Sequence, residues 1–232
     1  FTNFSQDHLD YHKNMKNYLK AKLILFSNLL KNNNNIICDN QIKEFQKIKL
    51  IAKNKNFKLL TIGKNNSTIK INSLINQNNS QKLSFKYNNK NYIIEVPLIG
   101  LFQIKNLLMS VLATKLSGFD ISKVLKNIKK IKGVNGRLQL IKIYPNNAKI
   151  FIDYAHTPDA LKTSLITLKE HYNIKPDVVF GCGGERDKKK RPLMARISEK
   201  YAQDIYITDD NPRNENPNLI RKMIVSGFRK KK

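Results

Sequence analysis

A chain of 232 residues with 41% apolar side chains has material for one large packed domain or two modest ones, so a globular protein is expected. Its 43 Lys and Arg against 17 Asp and Glu leave a formal charge of +26, an imbalance that attracts nucleic acid, acidic membrane or phosphorylated ligands. The lysines, however, are scattered among Asn and Ile (31–35, 53–58, 76–79, 126–132) with no helix-turn-helix, zinc-finger or RNA-binding signature, which argues against a dedicated nucleic-acid binder.

The first residues, Asp7-His8-Leu9-Asp10-Tyr11-His12, offer carboxylates and imidazoles that suit a divalent metal, or that stand as polar loop residues. Over 13–30, Met15, Tyr18, Leu19, Leu23, Phe26 and Leu30 recur at helical spacing, which predicts an amphipathic helix carrying Lys16, Lys20 and Lys22 off its apolar stripe. Ile36-Ile37-Cys38 reads as a short strand closed by Asp39 and Asn40. Between Phe57 and Leu98, alternating segments at 67–71, 83–87 and 92–96 separated by Asn-rich turns predict antiparallel strands. Helices follow at 103–117 and 121–131, the second stopping near Gly133.

From about Gly136 the pattern changes to strand (148–152), helix (158–171), strand (178–180), helix (192–201), strand (205–208) and helix (218–225). Such alternation predicts a parallel α/β sheet, whose ligands gather at the carboxyl ends of the strands. Three polar clusters fall there: Asp153-Tyr154-Ala155-His156, the stretch 181–187, and Asp209-Asp210-Asn211-Pro212-Arg213. Gly181, Gly183 and Gly184 permit either a structural turn or a backbone N–H cradle for an anion. Arg186 beside them is a planar fork suited to carboxylate or phosphate. In the third cluster Asp210 or Asn211 would accept from an ammonium and Arg213 would grip a carboxylate, as a zwitterionic amino acid requires; a helix cap with a solvated salt bridge is the plainer alternative.

Cys38 and Cys182 lie far apart, without metal-ligand spacing and with no secretory segment ahead of them, so reduced, buried thiols in a cytoplasmic protein are expected. No apolar run approaches the ~20 residues of a membrane helix, and no membrane insertion is expected. The chain opens on Phe1 and closes on Arg229-Lys230-Lys231-Lys232 just after a helical pattern, so it reads as part of a longer protein.

Taken in order and spacing, several stretches resemble the Mur ligase family over nearly the whole chain. They are 1–12, Tyr18-Leu19-Lys20-Ala21-Lys22, Gly136-Arg137, 153–161, 180–192 and 208–213. The resemblance implies an α/β protein: the remainder of a central ATPase domain (1–136, a mixed sheet with antiparallel strands and helices) and the beginning of a Rossmann-like C-terminal amino-acid-binding domain (137–232), both incomplete. It implies an ATP-dependent amide-bond-forming ligase of cytoplasmic peptidoglycan precursor synthesis. ATP would phosphorylate a carboxylate of UDP-N-acetylmuramoyl-L-alanyl-D-glutamate, and the amine of meso-diaminopimelate would displace phosphate. Asp-Asn-Pro-Arg marks the diaminopimelate-adding branch; a lysine-adding ligase and a basic nucleic-acid-binding module are the alternatives, the first opposed by Arg213.

By the same resemblance, Mg2+ is the cofactor, His8 a magnesium ligand, and Lys22 a lysine carbamylated by carbon dioxide to give an oxygen ligand; the plainer alternative for Lys22 is a surface helix lysine. Asn106, Arg137, Asp153 and His156 fall at ATP-binding positions, although Gln103 stands where the family usually has Asn. Arg186, Asp210, Asn211, Pro212 and Arg213 fall at diaminopimelate-binding positions. The family's phosphate loop, a G-x-x-x-x-G-K motif followed by Ser or Thr, is absent from these 232 residues, so the chain alone is expected to be inactive.

Overall fold

In the computed structural model, residues 1–229 are described, and they divide into two compact units. The first comprises Phe1–Phe4 and Leu19–Gly133; the second takes Ser5–Tyr18 together with the chain from Val134 onward. The three terminal lysines read above as part of the chain's end lie outside the described residues.

The first unit is built on a five-stranded sheet, in spatial order β1 (Asn35–Asp39), β2 (Lys58–Gly63), β3 (Ile69–Gln77), β4 (Ser80–Tyr87) and β5 (Lys90–Val96). β1 and β2 run parallel in full register, and β3, β4 and β5 are antiparallel. β2 meets β3 in parallel only at Ile62 and Gly63, beside a point where Thr61 and Thr68 each donate a backbone N–H to the other's hydroxyl. Strand alternation assigns the two faces. Ile37, Leu60 and Ile62 face a core shared with Ile104, Leu108 and Leu112 of a helix over Leu101–Leu116. Ile36 and Cys38 face a second core shared with Ile48 and Ala52 of a helix over Phe45–Asn54.

That second helix and β2 were missed in the sequence reading, and with them the parallel start of the sheet. The helical signal was present: Phe45, Ile48 and Ala52 recur three and four apart. The amphipathic helix read over 13–30 is α-helical at Met15–Ile24 and ends in a π-helical turn Leu25–Leu29, with a separate short helix at Leu9–His12 before it. The helix read over 121–131 is α-helical at Ile121–Asn127 and tightens to a 3-10 turn at Ile128–Lys130.

In chain order the helices are thus α1 (Leu9–His12), α2 (Met15–Ile24), α3 (Phe45–Asn54), α4 (Leu101–Leu116) and α5 (Ile121–Asn127). The second unit continues with α6 (Pro158–Tyr172), α7 (Lys190–Tyr201) and α8 (Pro217–Val225). α6 and α8 start as local chemistry dictates: Thr157 and Asn216 cap the first free N–H groups, and Pro158 and Pro217 fill a position that needs no donor. Leu161, Leu165, Met194, Ala195, Ile220 and Ile224 from these three helices close the core with Phe180 and Cys182.

The strands of this unit correct the expected single parallel sheet. β8 (Val178–Phe180) and β9 (Ile205–Ile207) are parallel neighbours, but β7 (Lys149–Ile152) pairs antiparallel with β6 (Gln139–Ile143), a strand the sequence reading missed. The reason is the short connection Tyr144-Pro145-Asn146-Asn147-Ala148. Asn146 accepts from the Ala148 N–H and Asn147 adopts φ 63°, so the chain folds back as a hairpin.

Candidate active site

The loops leaving β8 and β9 lie against each other. Gly184 N–H donates to the Asn211 carbonyl at 2.9 Å, and Arg213 Nη1 donates to the Gly184 carbonyl at 2.6 Å. Asn214 donates to Glu185 Oε1 at 2.7 Å. The glycines make this approach possible: a Cβ on Gly184 would stand 1.8 Å from the Pro212 carbonyl oxygen, and one on Gly181 2.6 Å from that of Thr208. Of the two readings open for this stretch, the turn that lets two loops touch is the one these contacts express.

Beneath the loops lies a pair the sequence reading did not single out. Arg191, on α7, is fully buried, and its guanidinium donates to both carboxylate oxygens of Glu215 at 2.9 and 3.0 Å and to the Gly183 carbonyl at 3.2 Å. Glu215 also accepts the Glu185 N–H and has Lys188 at 3.4 Å. The Arg191 bonds, then the Glu185 bond, hold the Glu215 carboxyl down at about 2. A signal existed in the sequence: Lys188, Lys189, Lys190 and Arg191 crowd like charges at the positive end of a helix dipole, an arrangement that calls for a counter-charge.

Arg186 and Arg213 are both exposed at this edge, as are Asp210 and Asn211, with Pro212 half-buried between them. Asp210 Oδ1 accepts the Asn211 N–H at 2.7 Å, and Asn211 Oδ1 accepts the Arg213 N–H at 3.1 Å. Glu185 and Arg213 hold left-handed backbone at φ 52° and 49°, which side-chain-bearing residues seldom adopt unless their surroundings fix it.

A second cluster of the same unit gathers Arg137, Asp153 and His156. Leu138 N–H donates to Asp153 Oδ2 at 2.8 Å, Arg137 stacks on the Tyr154 ring at 4.9 Å, and Tyr154 N–H donates to the Gly136 carbonyl at 2.7 Å. Burial pushes the Asp153 carboxyl up, against the opposing pull of the Leu138 N–H and of Arg137. His156 Nδ1 faces the Tyr154 carbonyl at 3.0 Å, and its own carbonyl accepts from the buried Lys190 at 2.8 Å.

His8 joins this cluster through Asp7, a residue the sequence reading left in its polar stretch. Asp7 Oδ2 stands 3.4 Å from Nε2 of both His8 and His156. Next to it, Gln6 donates to Asp187 at 3.2 Å. Lys22 and Asn106 belong to the first unit. Lys22 is half-buried with its ammonium 5.7 Å from the centre of the Phe1 ring. Asn106 is exposed on α4, while Gln103 one turn earlier is buried and donates to the Ile99 carbonyl.

For magnesium the donor set fits in kind. Among the described residues no three or more His, Cys, Asp or Glu side chains form a metal cage, and magnesium does not need one, since it keeps several waters and takes one or two protein ligands with substrate phosphates. Taken each within its own unit, the exposed His8 imidazole and the Lys22 amine, convertible to a carbamate with oxygen donors, are single ligands of the number such an ion takes from protein. Cys38 and Cys182 are free and buried, and burial raises both thiols, Cys38 to about 11, which disfavours the thiolate form in both. No helix among the described residues is long and apolar enough to cross a membrane.

Residues 1–114 match the family model for the Mur ligase middle domain, and residues 136–231 the model for the Mur ligase glutamate ligase domain. The chain belongs to the Mur ligase family. It is similar to the UDP-N-acetylmuramoyl-L-alanyl-D-glutamate--2,6-diaminopimelate ligases of Rickettsia montanensis, at 46% identity over 99% of the chain, and of Haemophilus influenzae, at 40% over 99%. A solved structure of a ligase of that name superposes over 98% of the chain with a TM-score of 0.63 and 33% identity. The chain spans about half the length of these relatives, 47% of each curated sequence and 46% of the solved chain.

Proposed function

We propose that this chain is part of an ATP-dependent ligase that adds meso-diaminopimelate to UDP-N-acetylmuramoyl-L-alanyl-D-glutamate in the cytoplasm. The observation that supports the reading is the contact between the two loops, one leading into the exposed Arg186 and the other carrying the exposed Asp210, Asn211 and Arg213, within one unit. Cationic forks with acid and amide acceptors suit a ligand bearing both carboxylates and an ammonium. Arg213 in the Asp-Asn-Pro-Arg stretch favours diaminopimelate, whose second carboxylate lysine lacks. Residues 1–136 would be the later part of the central domain, and 137–232 the earlier part of the amino-acid-binding domain.

In the reaction, the ATP γ-phosphoryl group passes to a carboxylate of the D-glutamate residue, releasing ADP. The amine of diaminopimelate then attacks the acyl phosphate; the amide forms, phosphate leaves, and the amine loses a proton. Arg137 would neutralise phosphate charge, Asp153 would accept from the ribose, Asn106 would meet the adenine, and His156 would line the nucleotide site beside Asp7. His8 in one unit and carbamylated Lys22 in the other would each be a candidate ligand for magnesium, whose charge would screen that of the phosphates.

The test is to supply the full-length ligase that contains this chain with ATP, Mg2+, bicarbonate, UDP-muramoyl-dipeptide and either meso-diaminopimelate or L-lysine, and to follow phosphate release. Turnover that requires diaminopimelate supports the reading; equal turnover with lysine overturns it. The 232 residues alone are expected to form no UDP-muramoyl-tripeptide, because phosphoryl transfer needs both reactants held in line, a contribution of ~7–11 kcal/mol.

A further inference from the structure

The Arg191–Glu215 pair under the two loops has no part in the chemistry proposed above, yet, apart from Met223 on α8 and Lys188, its side-chain hydrogen bonds go to the segment 183–185 that leads into Arg186. Glu215 receives Arg191 through both carboxylate oxygens and, on Oε1, also the N–H of Glu185. Glu185 is the residue directly before Arg186 and sits in left-handed backbone, so the direction in which Arg186 leaves the loop depends on that N–H being held. Arg191 reaches the other way, to the Gly183 carbonyl. The next residue, Gly184, takes Arg213 Nη1 on its carbonyl and gives its N–H to Asn211. One carboxylate and one buried guanidinium thereby fix both ends of the segment 183–185 and, through it, the seating of the 211–213 loop.

Resting on the diaminopimelate reading of this edge, we propose that Arg191 and Glu215 form a positioning pair that sets amino-acid affinity by fixing the spacing between the Arg186 and Arg213 guanidinium groups. Neither residue touches the ligand. Arg191 is fully buried, and Glu215 is filled by Arg191, Glu185 and Lys188. Two guanidinium forks grip a dicarboxylate well only at a set separation, and bidentate recognition degrades steeply with misplacement. The pair predicts selectivity in its effect: the amino-acid site loosens, while the cluster of Arg137, Asp153 and His156, built on other hydrogen bonds, keeps its geometry.

The experiment uses the full-length ligase in two forms. Glu215→Gln removes the charge but leaves Arg191 buried without a counter-ion, so it risks misfolding. The double variant Arg191→Met with Glu215→Met removes both charges together, a change that interiors tolerate much better. For each, the KM for meso-diaminopimelate, the KM for ATP and kcat are measured on protein shown to be folded by its unfolding transition. The expected result is a rise of about tenfold or more in the diaminopimelate KM, with the ATP KM within about twofold of the parent. A merely structural role would lower kcat in proportion to the folded fraction and leave both KM values alone. A diaminopimelate KM within about twofold of the parent in the folded double variant overturns the pair's role. If the parent ligase turns over another amino acid instead of diaminopimelate, the ligand reading fails, and the pair is judged by that amino acid's KM under the same criterion. A parent with no amino-acid-dependent turnover overturns both.

Discussion

Arg191 and Glu215, twenty-four residues apart in sequence, meet through two parallel N–H to oxygen bonds of 2.9 and 3.0 Å that tie the first turn of α7 to the loop before α8. The pair gives the second unit a pH dependence of defined sign. The Glu215 carboxyl lies at about 2 in the folded chain against an ordinary 4.5, so its stabilising effect is complete above about 4.5 and disappears as pH falls toward about 2. Glu215→Gln is therefore expected to unfold at lower urea than the parent at pH 7, and the gap between the two should close across that acid window. A gap that stays constant from pH 7 to pH 2 would remove Glu215 from the acid response.

The closeness of the two loops makes a second expectation. Gly184→Ala places a methyl 1.8 Å from the Pro212 carbonyl oxygen, a backbone atom that cannot swing away. The loops must separate, at a cost of about 3 kcal/mol or more. Gly133→Ala is the control: its nearest neighbour is the Leu98 side chain at 3.9 Å, and a change within about 0.5 kcal/mol is expected. Urea midpoints of the two variants decide the matter, and equal midpoints would mean the loops do not approach as described.

How much of this was legible beforehand depended on range. Local chemistry was readable: the Thr157-Pro158 and Asn216-Pro217 starts of α6 and α8, and the alternation along β4 that buries Leu83, Phe85 and Tyr87. Pairing was less so. Ile150 and Ile152 look like a buried parallel strand, but each is over 40% exposed, because the hairpin turn at 144–148 hands β7 to β6. Least legible were residues whose meaning is a distant partner. Glu215 is a lone acid in an Asn-rich stretch until Arg191 is seen beneath it, and Asp7 is one of several acids until His8 and His156 flank it.

Arg213 connects that geometry to specificity. Its guanidinium gives one donor to Gly184 and, being exposed, keeps the rest of its fork for a ligand. Arg213→Ala in the full-length ligase should remove a charge-assisted carboxylate contact worth ~1.5–3 kcal/mol, roughly a tenfold to hundredfold rise in the diaminopimelate KM. Because the Gly184 carbonyl also loses its donor, Arg213→Lys is the companion variant: a point charge without the planar fork should recover part of the loss. An unchanged KM in the alanine variant would take Arg213 out of the ligand site.

The last prediction concerns Lys22, near the end of α2 just before the helix widens into the π-turn at Leu25–Leu29, a distortion frequent at functional positions. As an ammonium, Lys22 would repel a divalent cation; as a carbamate it offers oxygen ligands of the kind magnesium prefers. Lys22→Ala in the full-length ligase should therefore lose most of its activity, and added short-chain carboxylic acids should restore part of it by supplying the missing oxygens. Lys22→Arg, which cannot form a carbamate under these conditions but keeps the charge, should be as inactive as the alanine variant. The two sets of rates, measured with and without acetate or formate at fixed ionic strength, distinguish the cases. Full activity in Lys22→Ala returns the residue to an ordinary helix lysine, and full activity in Lys22→Arg shows that charge, not a carbamate, is what the position requires.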